Sequence, residues 1–152
     1  MSVLTRDAIL AEMKSGRLVI TPFEADQLGA ASIDLVADSD YRDHTRVASL
    51  DSPYVLAPGS TIHGITRERI RLPGNLCGFL EGRSRFARLG LMIHVTSAFV
   101  QPGVDNRQVL EMSNVSGHPL RIHAGVRLCQ LVLMRTEGEA CYEGRFAKQD
   151  RI

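Results

Sequence analysis

From residue 54 onward, the sequence consists of short apolar or alternating runs separated by turn-forming residues. The runs are YVLAPGS, IRLPGN, LCGFLEG, LMIHVTSAFVQPG, QVLEMSNVSG and RLCQLVLMR, with repeated Pro-Gly, Asn-Val-Ser-Gly and His-Ala-Gly breaks. Strands this short are not stable alone and must pack into one body. The pattern therefore predicts a compact, mainly β barrel or sandwich rather than a series of βαβ units.

One helix is predicted, close to the N-terminus. Thr5 is a suitable N-cap for a segment whose apolar residues recur at helical spacing, and Gly16 is placed to end it. Residues 18–20 and 31–36 predict two short strands before the main β region.

Two segments are too polar to contribute much to the core. Residues 38–51 predict a surface loop, and residues 136–152, called the tail below, form a polar, glycine-containing end. Because 152 residues can bury a sizeable hydrophobic core without disulfide bonds or a structural metal, we expect a single domain over residues 1–152.

Charge, hydropathy and cysteines narrow the functional classes. The 18 basic and 17 acidic residues give a net charge of +1, which argues against a nucleic-acid partner. No run reaches the roughly 18 apolar residues that span a bilayer, and the N-terminus lacks signal-peptide features, so we expect a cytoplasmic protein without a membrane partner. Cys77, Cys129 and Cys141 include no CxxC pair and are interpreted as reduced core thiols.

A basic cluster stands out in EGRSRFARLG, residues 81–90. Arg83, Ser84, Arg85 and Arg88 place three guanidinium groups and a hydroxyl within six residues. Guanidinium forks match phosphate oxygens bidentately, so the cluster is suited to a polyphosphate. A solvated turn with ordinary surface arginines is an equally good interpretation of the residues alone.

One carboxylate, Glu111, lies inside the apolar run VLEMSN. Strand alternation places Val109 and Glu111 on one face. A buried carboxylate needs a partner, which Arg88 could supply, or it could hold a near-neutral pKa and shuttle protons. A third possibility is that Glu111 faces solvent on an edge strand.

Other catalytic patterns are missing or weak. His94 also lies in an apolar run, and a core histidine satisfied by a backbone carbonyl is the favoured interpretation. The remaining histidines lack metal-ligand spacing such as HExxH, so no protein metal site is predicted. There is no GxSxG elbow and no P-loop, which leaves acyl transfer and ordinary ATP hydrolysis without support.

Taken together, the motifs resemble a known family. GRSRFARLGLMIHVTSAFVQPG, followed by VLEMSN, is similar to the signature region of the dCTP deaminases, relatives of the trimeric dUTPases. The resemblance extends over most of the chain, through LTRDAI, GRLVITPF, ASIDL, VLAPGSTIHGIT, HPLRIHAGVRLCQLVLMR and YEGRFAKQ. It implies a distorted β-barrel of the dUTPase-like type, a homotrimer with sites shared between neighbouring copies, Mg²⁺ carried by the nucleotide triphosphate, and no zinc.

The resemblance also assigns roles to residues. Glu111 would be the general base and proton shuttle, with Ser84 and Arg88 near the reacting base as further catalytic residues. The tail would close over a pyrimidine deoxynucleoside triphosphate. The implied nucleotide-binding residues are Arg83, Ser84, Arg85, Arg88, Thr96, Ser97, Gln101, Val109, Leu110, Tyr142, Arg145, Phe146 and Gln149.

The activity that the resemblance implies is zinc-independent hydrolytic deamination of dCTP to dUTP and ammonia. Four positions depart from the family pattern: Gln101 replaces an aspartate, Ser97 an alanine, Val104 an aromatic residue and Arg85 a serine. A dUTP or dCTP pyrophosphatase, or a bifunctional enzyme, is one alternative. A nucleotide-binding or regulatory homologue without turnover is another.

Overall fold

The structure is a computed structural model that describes residues 2–42, 47–49 and 53–152 of the chain. It contains two α-helices, α1 (Arg6–Lys14) and α2 (Ser84–Ala87), and a 3-10 helix at Ala25–Gln27. The strands within the described residues are β1 (Val19–Thr21), β2 (Ile33–Arg42), β3 (Val47–Ser49), β4 (Tyr54–Leu56), β5 (Thr61–Arg71), β6 (Leu76–Gly82), β7 (Leu91–Met92), β8 (Phe99–Val100), β9 (Asp105–Asn114), β10 (Leu120–Ile122) and β11 (Arg127–Arg135).

Most strands join one antiparallel sheet that curls into a half-barrel. The order is β7-β9-β5-β2-β11-β6-β8, with β1 added to β5 and β3 added to β2, while β4 and β10 form a separate pair. The inner face carries the apolar core, including Ile33, Leu35, Leu80, Leu110 and Leu131, none of which is more than 1% exposed. The predicted mainly β fold is confirmed.

Helix α1 begins and ends where the sequence predicted. Thr5 occupies the N-cap position in an extended conformation, although its side chain makes no capping hydrogen bond. After the last turn, Gly16 adopts a φ of 73°, which glycine tolerates and other residues rarely do. The predicted strands at residues 18–20 and 31–36 correspond to β1 and to the first part of β2.

The prediction of a surface loop over residues 38–51 is wrong within the part that the structure describes. Strand β2 continues to Arg42, and Asp40 pairs with Ser49 of β3. Tyr41 explains the error, because it is fully buried and its ring stacks on Tyr54 with 6.1 Å between centroids. The polar residues around Tyr41 made this segment resemble a loop in the sequence, although it forms a strand. Residues 43–46 and 50–51 of this prediction lie outside the described residues.

Strand β5 has an irregular register with β9. Ile65 pairs with Val109, but the next described pair joins Arg69 to Arg107, so β5 carries two more residues than β9 between them. Glu68 lies in this bulge and is fully buried. Its Oε2 accepts a hydrogen bond from the Val36 backbone N–H at 2.9 Å. The extra residues bend the strand and turn a charged side chain into the core.

The carboxylate of Glu68 is held by a second donor. Gln27 Nε2 donates to Oε1 at 2.8 Å and also donates to the Asp34 carbonyl. Burial raises the pKa of Glu68, because the charged form loses its hydration, while these hydrogen bonds act in the opposite direction. Glu68 therefore ties the 3-10 helix, β2 and β5 together.

The cysteine prediction holds at two of three positions. Cys77 and Cys129 are buried free thiols, and burial raises the pKa of each. Cys141 is exposed in the tail, so its interpretation as a core thiol is wrong, because the tail lies on the surface of the barrel. In the described part of the chain, no helix is both long enough and apolar enough to cross a membrane.

Candidate functional site

A cavity of about 350 Å³ lies beside β9, β5 and the tail, and Glu111 is the only carboxylate among the described residues that line it. We call it the Glu111 cavity. Its walls combine apolar side chains with amides, hydroxyls and an imidazole. The lining residues are His63, Ser97, Phe99, Val100, Gln101, Val104, Asn106, Gln108, Val109, Glu111, Tyr142, Phe146 and Gln149.

Strand β9 places Glu111 on the cavity wall. Leu110 and Met112 are fully buried on the core face, whereas Val109 and Glu111 are half-buried and line the cavity. The predicted common face of Val109 and Glu111 is therefore confirmed. Among the described strands only β5 pairs with β9 at Glu111, so the residue does lie on a sheet edge, but it is half-buried and borders a partly enclosed cavity instead of facing open solvent.

The carboxylate of Glu111 is weakly held by the groups described around it. The Val95 backbone N–H donates to Oε2 at 3.4 Å, at the long end of the hydrogen-bond range. Arg88 is exposed, and within the described residues no ion pair joins it to Glu111. The suggested Arg88 partner for Glu111 is thus wrong inside a single chain.

The tail closes one side of the cavity by backbone pairing with β9. The Asp105 N–H donates to the Ala147 carbonyl at 3.0 Å, and the Arg107 N–H donates to the Gln149 carbonyl at 2.8 Å. Asn106 Nδ2 adds a bond of 2.8 Å to the Phe146 carbonyl. These contacts bring Tyr142, Phe146 and Gln149 of the tail to the cavity wall.

Arg69 of β5 binds the end of the tail. Arg69 Nε donates to Asp105 Oδ1 at 2.8 Å, and Arg69 Nη1 donates to Asp150 Oδ1 at 3.0 Å. The two carboxylates raise the pKa of the Arg69 guanidinium, with the hydrogen bond to Asp105 as the larger cause. One side chain of β5 therefore connects β9 to the tail.

The predicted nucleotide-binding residues fall into two groups. Those that line the Glu111 cavity together with Glu111 are Ser97, Gln101, Val109, Tyr142, Phe146 and Gln149. Those outside its lining are Arg83, Ser84, Arg85, Arg88, Thr96, Leu110 and Arg145. Leu110 is fully buried with its side chain in the core, and Thr96 and Arg145 are exposed.

The basic cluster lies apart from the cavity in the single chain. Ser84 and Arg88 are exposed on and next to α2. Arg83 precedes this helix, forms an ion pair with Asp34 at 3.2 Å and donates to the Arg127 carbonyl. Arg85 lines a second, more apolar cavity of about 250 Å³. One copy of the chain therefore does not bring these four side chains to Glu111.

Several cavity residues were missed by the sequence analysis. His63, Asn106 and Gln108 provide polar groups, while Phe99 and Val100 provide apolar ones. These residues are difficult to predict from sequence, because the β5–β9 register cannot be derived from the sequence of either strand alone. Once VLEMSN is taken as a strand, the alternating residues of its partner are the place to look for such side chains.

Two other observations concern histidines and metal ligands. Nδ1 of His94 is buried without a hydrogen-bond partner in the described part of the chain, so the interpretation as a fully satisfied core histidine is wrong for this atom. Among the described residues, no group of three or more His, Cys, Asp or Glu side chains is arranged to hold a metal ion.

Comparison with known proteins identifies the family. The model of the dCTP deaminase-like family matches residues 3–136. The chain belongs to this family. Two curated relatives named "dCTP deaminase, dUMP-forming", from Rhodococcus opacus and Acidothermus cellulolyticus, are each 36% identical over 87% of this chain and cover 80% and 79% of their own length. The predicted membership of the dCTP deaminase-like family is confirmed, and the chain is an enzyme of this family.

Solved structures support the fold. The crystal structure of 2'-deoxycytidine 5'-triphosphate deaminase from Agrobacterium tumefaciens matches 89% of this chain with a TM-score of 0.73 and 22% identity. This dCTP deaminase-like chain spans about half of that protein, 48% of its length. The native EIAV dUTPase matches 85% of this chain and 99% of its own, with a TM-score of 0.59 and 18% identity. The predicted dUTPase-like fold is confirmed.

Proposed function

We propose that this dCTP deaminase-like enzyme converts dCTP to dUTP and ammonia by hydrolysis, with Glu111 as the general base. The observation that carries the proposal is that Glu111, the only carboxylate among the described lining residues, lies on the wall of a partly enclosed cavity closed by the tail. Relatives at 36% identity that are named dCTP deaminase support the substrate.

The reaction follows from a carboxylate that can both take and return a proton. Glu111 removes a proton from water, and the resulting hydroxide adds to C4 of cytosine. Glu111 then returns that proton to the amino group, which leaves as ammonia when its bond to C4 breaks, and the remaining hydroxyl proton moves to N3 as the C4 carbonyl of uracil forms. Zinc deaminases use an HxE with PCxxC signature that this sequence lacks, which supports a zinc-independent route.

The rest of the Glu111 cavity is suited to the nucleoside. The amide of Gln101 can hydrogen-bond a sugar hydroxyl but cannot act as a base. Tyr142, Phe146 and Gln149 line the tail side and would cover the bound nucleotide. Ser97, with backbone groups near Thr96, Val109 and Leu110, would shape the pocket for the base. Mg²⁺ would arrive on the triphosphate, held mainly by phosphate oxygens.

The phosphates need the basic cluster, which we propose comes from a neighbouring copy in a homotrimer. Ser84 and Arg88 are exposed and lie outside the Glu111 cavity of their own chain, which supports a shared site. Phe79 and Phe99 contact each other at 5.1 Å between ring centroids and remain partly exposed, and Phe99 also lines the cavity. A second copy packed there would sit beside Glu111.

Co-expression of two inactive variants tests the shared site. Arg88→Ala and Glu111→Gln should each be inactive alone, but mixed trimers contain some sites with both native residues. Random mixing in a trimer should restore about a quarter of the wild-type activity. A mixture as inactive as its components would contradict the shared site, as would a mass of 16.7 kDa, that of one chain, in light scattering.

A second candidate is a bifunctional enzyme that also cleaves the triphosphate and releases dUMP. The names of the 36% identical relatives, which end in "dUMP-forming", favour it. The absence of a second carboxylate from the described cavity lining favours release of dUTP. The two candidates share the deamination step and differ only in the fate of the phosphates.

A product assay separates these functions. Purified enzyme is incubated with Mg-dCTP and, in parallel, with Mg-dUTP, and nucleotides, ammonia and pyrophosphate are measured, with Glu111→Gln as the control. We expect dUTP and ammonia from dCTP. Formation of dUMP with pyrophosphate would select the bifunctional enzyme. Calorimetric binding of dCTP without any product would select a nucleotide-binding homologue and overturn both candidates.

A further inference from the structure

Asn106 and Gln108, called the amide pair below, connect the wall of the Glu111 cavity to the tail by hydrogen bonds. Asn106 is buried, and its Nδ2 donates to the Phe146 carbonyl of the tail at 2.8 Å. Gln108 Nε2 in turn donates to Asn106 Oδ1. Both side chains line the Glu111 cavity. The two amides and the tail backbone therefore form one hydrogen-bonded unit at the cavity wall.

The tail fixes which end of each amide faces its neighbour. A backbone carbonyl can only accept, so Asn106 must turn its NH2 group towards Phe146 and its oxygen towards Gln108. That oxygen also only accepts, so Gln108 must turn its own NH2 group towards Asn106. Gln108 Oε1 then accepts no hydrogen bond from any described residue. It is not among the buried side-chain atoms without a partner in the described part of the chain, so a ligand can reach it.

The backbone of Gln108 is held as well. Its N–H donates to Thr66 Oγ1 at 3.0 Å, and that hydroxyl donates to the Glu68 carbonyl in the bulge of β5 at 2.9 Å. Gln108 is thus anchored at both ends, by the bulge and by Asn106. Its Oε1 is an acceptor of fixed orientation that no described residue uses.

A ligand atom that meets this acceptor must be a hydrogen-bond donor. Strand residues rise by about 3.3 Å each, so Gln108 lies roughly 10 Å along β9 from Glu111. With C4 of cytosine at Glu111, as in the proposed function on which this inference rests, Gln108 lies towards the sugar. The sugar of a 2′-deoxynucleoside triphosphate has one free hydroxyl, at C3′. We propose that Gln108 is a specificity-determining residue whose Oε1 accepts a hydrogen bond from this 3′-hydroxyl.

Gln101 is the competing amide, because it also lines the cavity. Its side chain is exposed and makes no hydrogen bond to a described residue, so it can turn either its NH2 group or its oxygen towards a ligand. Gln108 can present only its oxygen. Gln108 therefore selects for a group that donates, whereas Gln101 does not.

Two ligands and two proteins measure the proposed bond. Both proteins carry Glu111→Gln, so that nucleotide is not consumed, and calorimetry gives the dissociation constants of Mg-dCTP and of Mg-2′,3′-dideoxy-CTP, which lacks the 3′-hydroxyl. With Gln108 present, loss of the hydroxyl should weaken binding about fivefold, as expected for one uncharged hydrogen bond. With Gln108→Leu, the two ligands should differ by less than about twofold. A general loosening of the tail weakens both ligands alike and cancels in this ratio.

Two further variants locate the acceptor and test its orientation. Gln101→Leu should keep the fivefold ligand difference. Asn106→Leu should reduce that difference although Gln108 is intact, because the Gln108 amide can then rotate. Thermal unfolding checks that each variant is folded. A ligand difference that persists in Gln108→Leu would overturn the inference, and an unchanged difference in Asn106→Leu would overturn the orienting role of the amide pair.

Ammonia release by protein with native Glu111 tests the proposed function separately. If the ligand difference depends on Gln108 but dCTP yields no ammonia, the sugar contact stands and the deamination falls. If ammonia forms but the ligand difference does not depend on Gln108, the deamination stands and the sugar contact falls. If neither wild type nor Glu111→Gln binds dCTP, both fall.

Discussion

Two glutamates on neighbouring strands of the same sheet have opposite surroundings. Glu68 of β5 is fully buried, and its two oxygens accept bonds of 2.8 and 2.9 Å from Gln27 and Val36. Glu111 of β9 is half-buried, lines a cavity and accepts a described bond of 3.4 Å from Val95. A fully buried carboxylate whose oxygens both accept hydrogen bonds stabilises the fold. A carboxylate that lines a cavity and accepts only a long hydrogen bond remains available for proton transfer.

The largest expected effect is on turnover at Glu111. Glu111→Gln keeps the shape of the side chain but cannot shuttle a proton, so ammonia release from dCTP should fall by at least about a thousandfold. Binding of dCTP in calorimetry should stay within about threefold. Retention of full activity would show that Glu111 is not the general base, and the contrast between a structural Glu68 and a catalytic Glu111 would not hold.

The next effect is on stability at Glu68. Glu68→Ala leaves the buried donors of Gln27 and Val36 without an acceptor, and the free energy of unfolding should fall by about 2–4 kcal/mol. Glu111→Ala is the matched control and should change it by less than about 1 kcal/mol. The comparison would fail if the two variants showed equal losses in urea unfolding.

The pH dependence of stability sharpens the comparison further. Burial raises the pKa of Glu68 above the value of about 4.3 in an unfolded chain. Its contribution is therefore fully present below the unfolded pKa and is lost as the pH rises through the folded pKa. The stability of wild type relative to Glu68→Gln should be greatest at low pH and should decline as the pH rises.

The pKa of Glu12 is shifted in the opposite direction to that of Glu68, so Glu12 serves as a comparison in the same experiment. It is buried but accepts bonds from Arg17 at 2.8 and 3.0 Å and from Arg135 at 2.7 Å. The hydrogen bond from Arg17 is the main reason that the pKa of Glu12 is lowered. Wild type should therefore lose stability relative to Glu12→Gln as the pH falls through the folded pKa. Urea unfolding from about pH 2 to about pH 8 measures both slopes, since the Glu12 window lies below the unfolded pKa of about 4.3 and the Glu68 window above it, and parallel slopes would refute the assignment.

The smallest expected effect concerns the end of the tail, where Asp150 pairs with Arg69. Exposed ion pairs contribute little, so Asp150→Asn should raise the KM for dCTP by no more than about fivefold and should leave stability unchanged. Glu143→Gln, another exposed tail carboxylate, is the control. A much larger rise in KM would mean that this ion pair governs closure of the tail.

Much of the fold could be predicted from the sequence because its signals are local. Thr5 and Gly16 mark the ends of α1, and the alternation in VLEMSN placed Val109 and Glu111 on one face. Glu68 could not be predicted in this way. It lies in the charged stretch TRERIR, which resembles an exposed strand, and only the two extra residues of β5 turn it into the core.

The candidate site was predictable to a similar extent, and for a similar reason. Resemblance to the family pointed to Ser97, Gln101 and the tail residues that line the cavity with Glu111. His63 was missed because its position opposite Glu111 depends on strand pairing between distant segments. The location of Arg88 away from Glu111 depends on packing that no local pattern encodes.

The pairing of the tail with β9 has a consequence for the solution behaviour of the enzyme. Strand β7 covers β9 only at Ser113 and Asn114, so the backbone N–H groups of Asp105 and Arg107 would form an open sheet edge if the tail did not accept their bonds. Open edges invite strand addition from other molecules and lead to aggregation. The segment that closes the cavity therefore also protects the sheet, and cleaving it would cost solubility as well as catalysis.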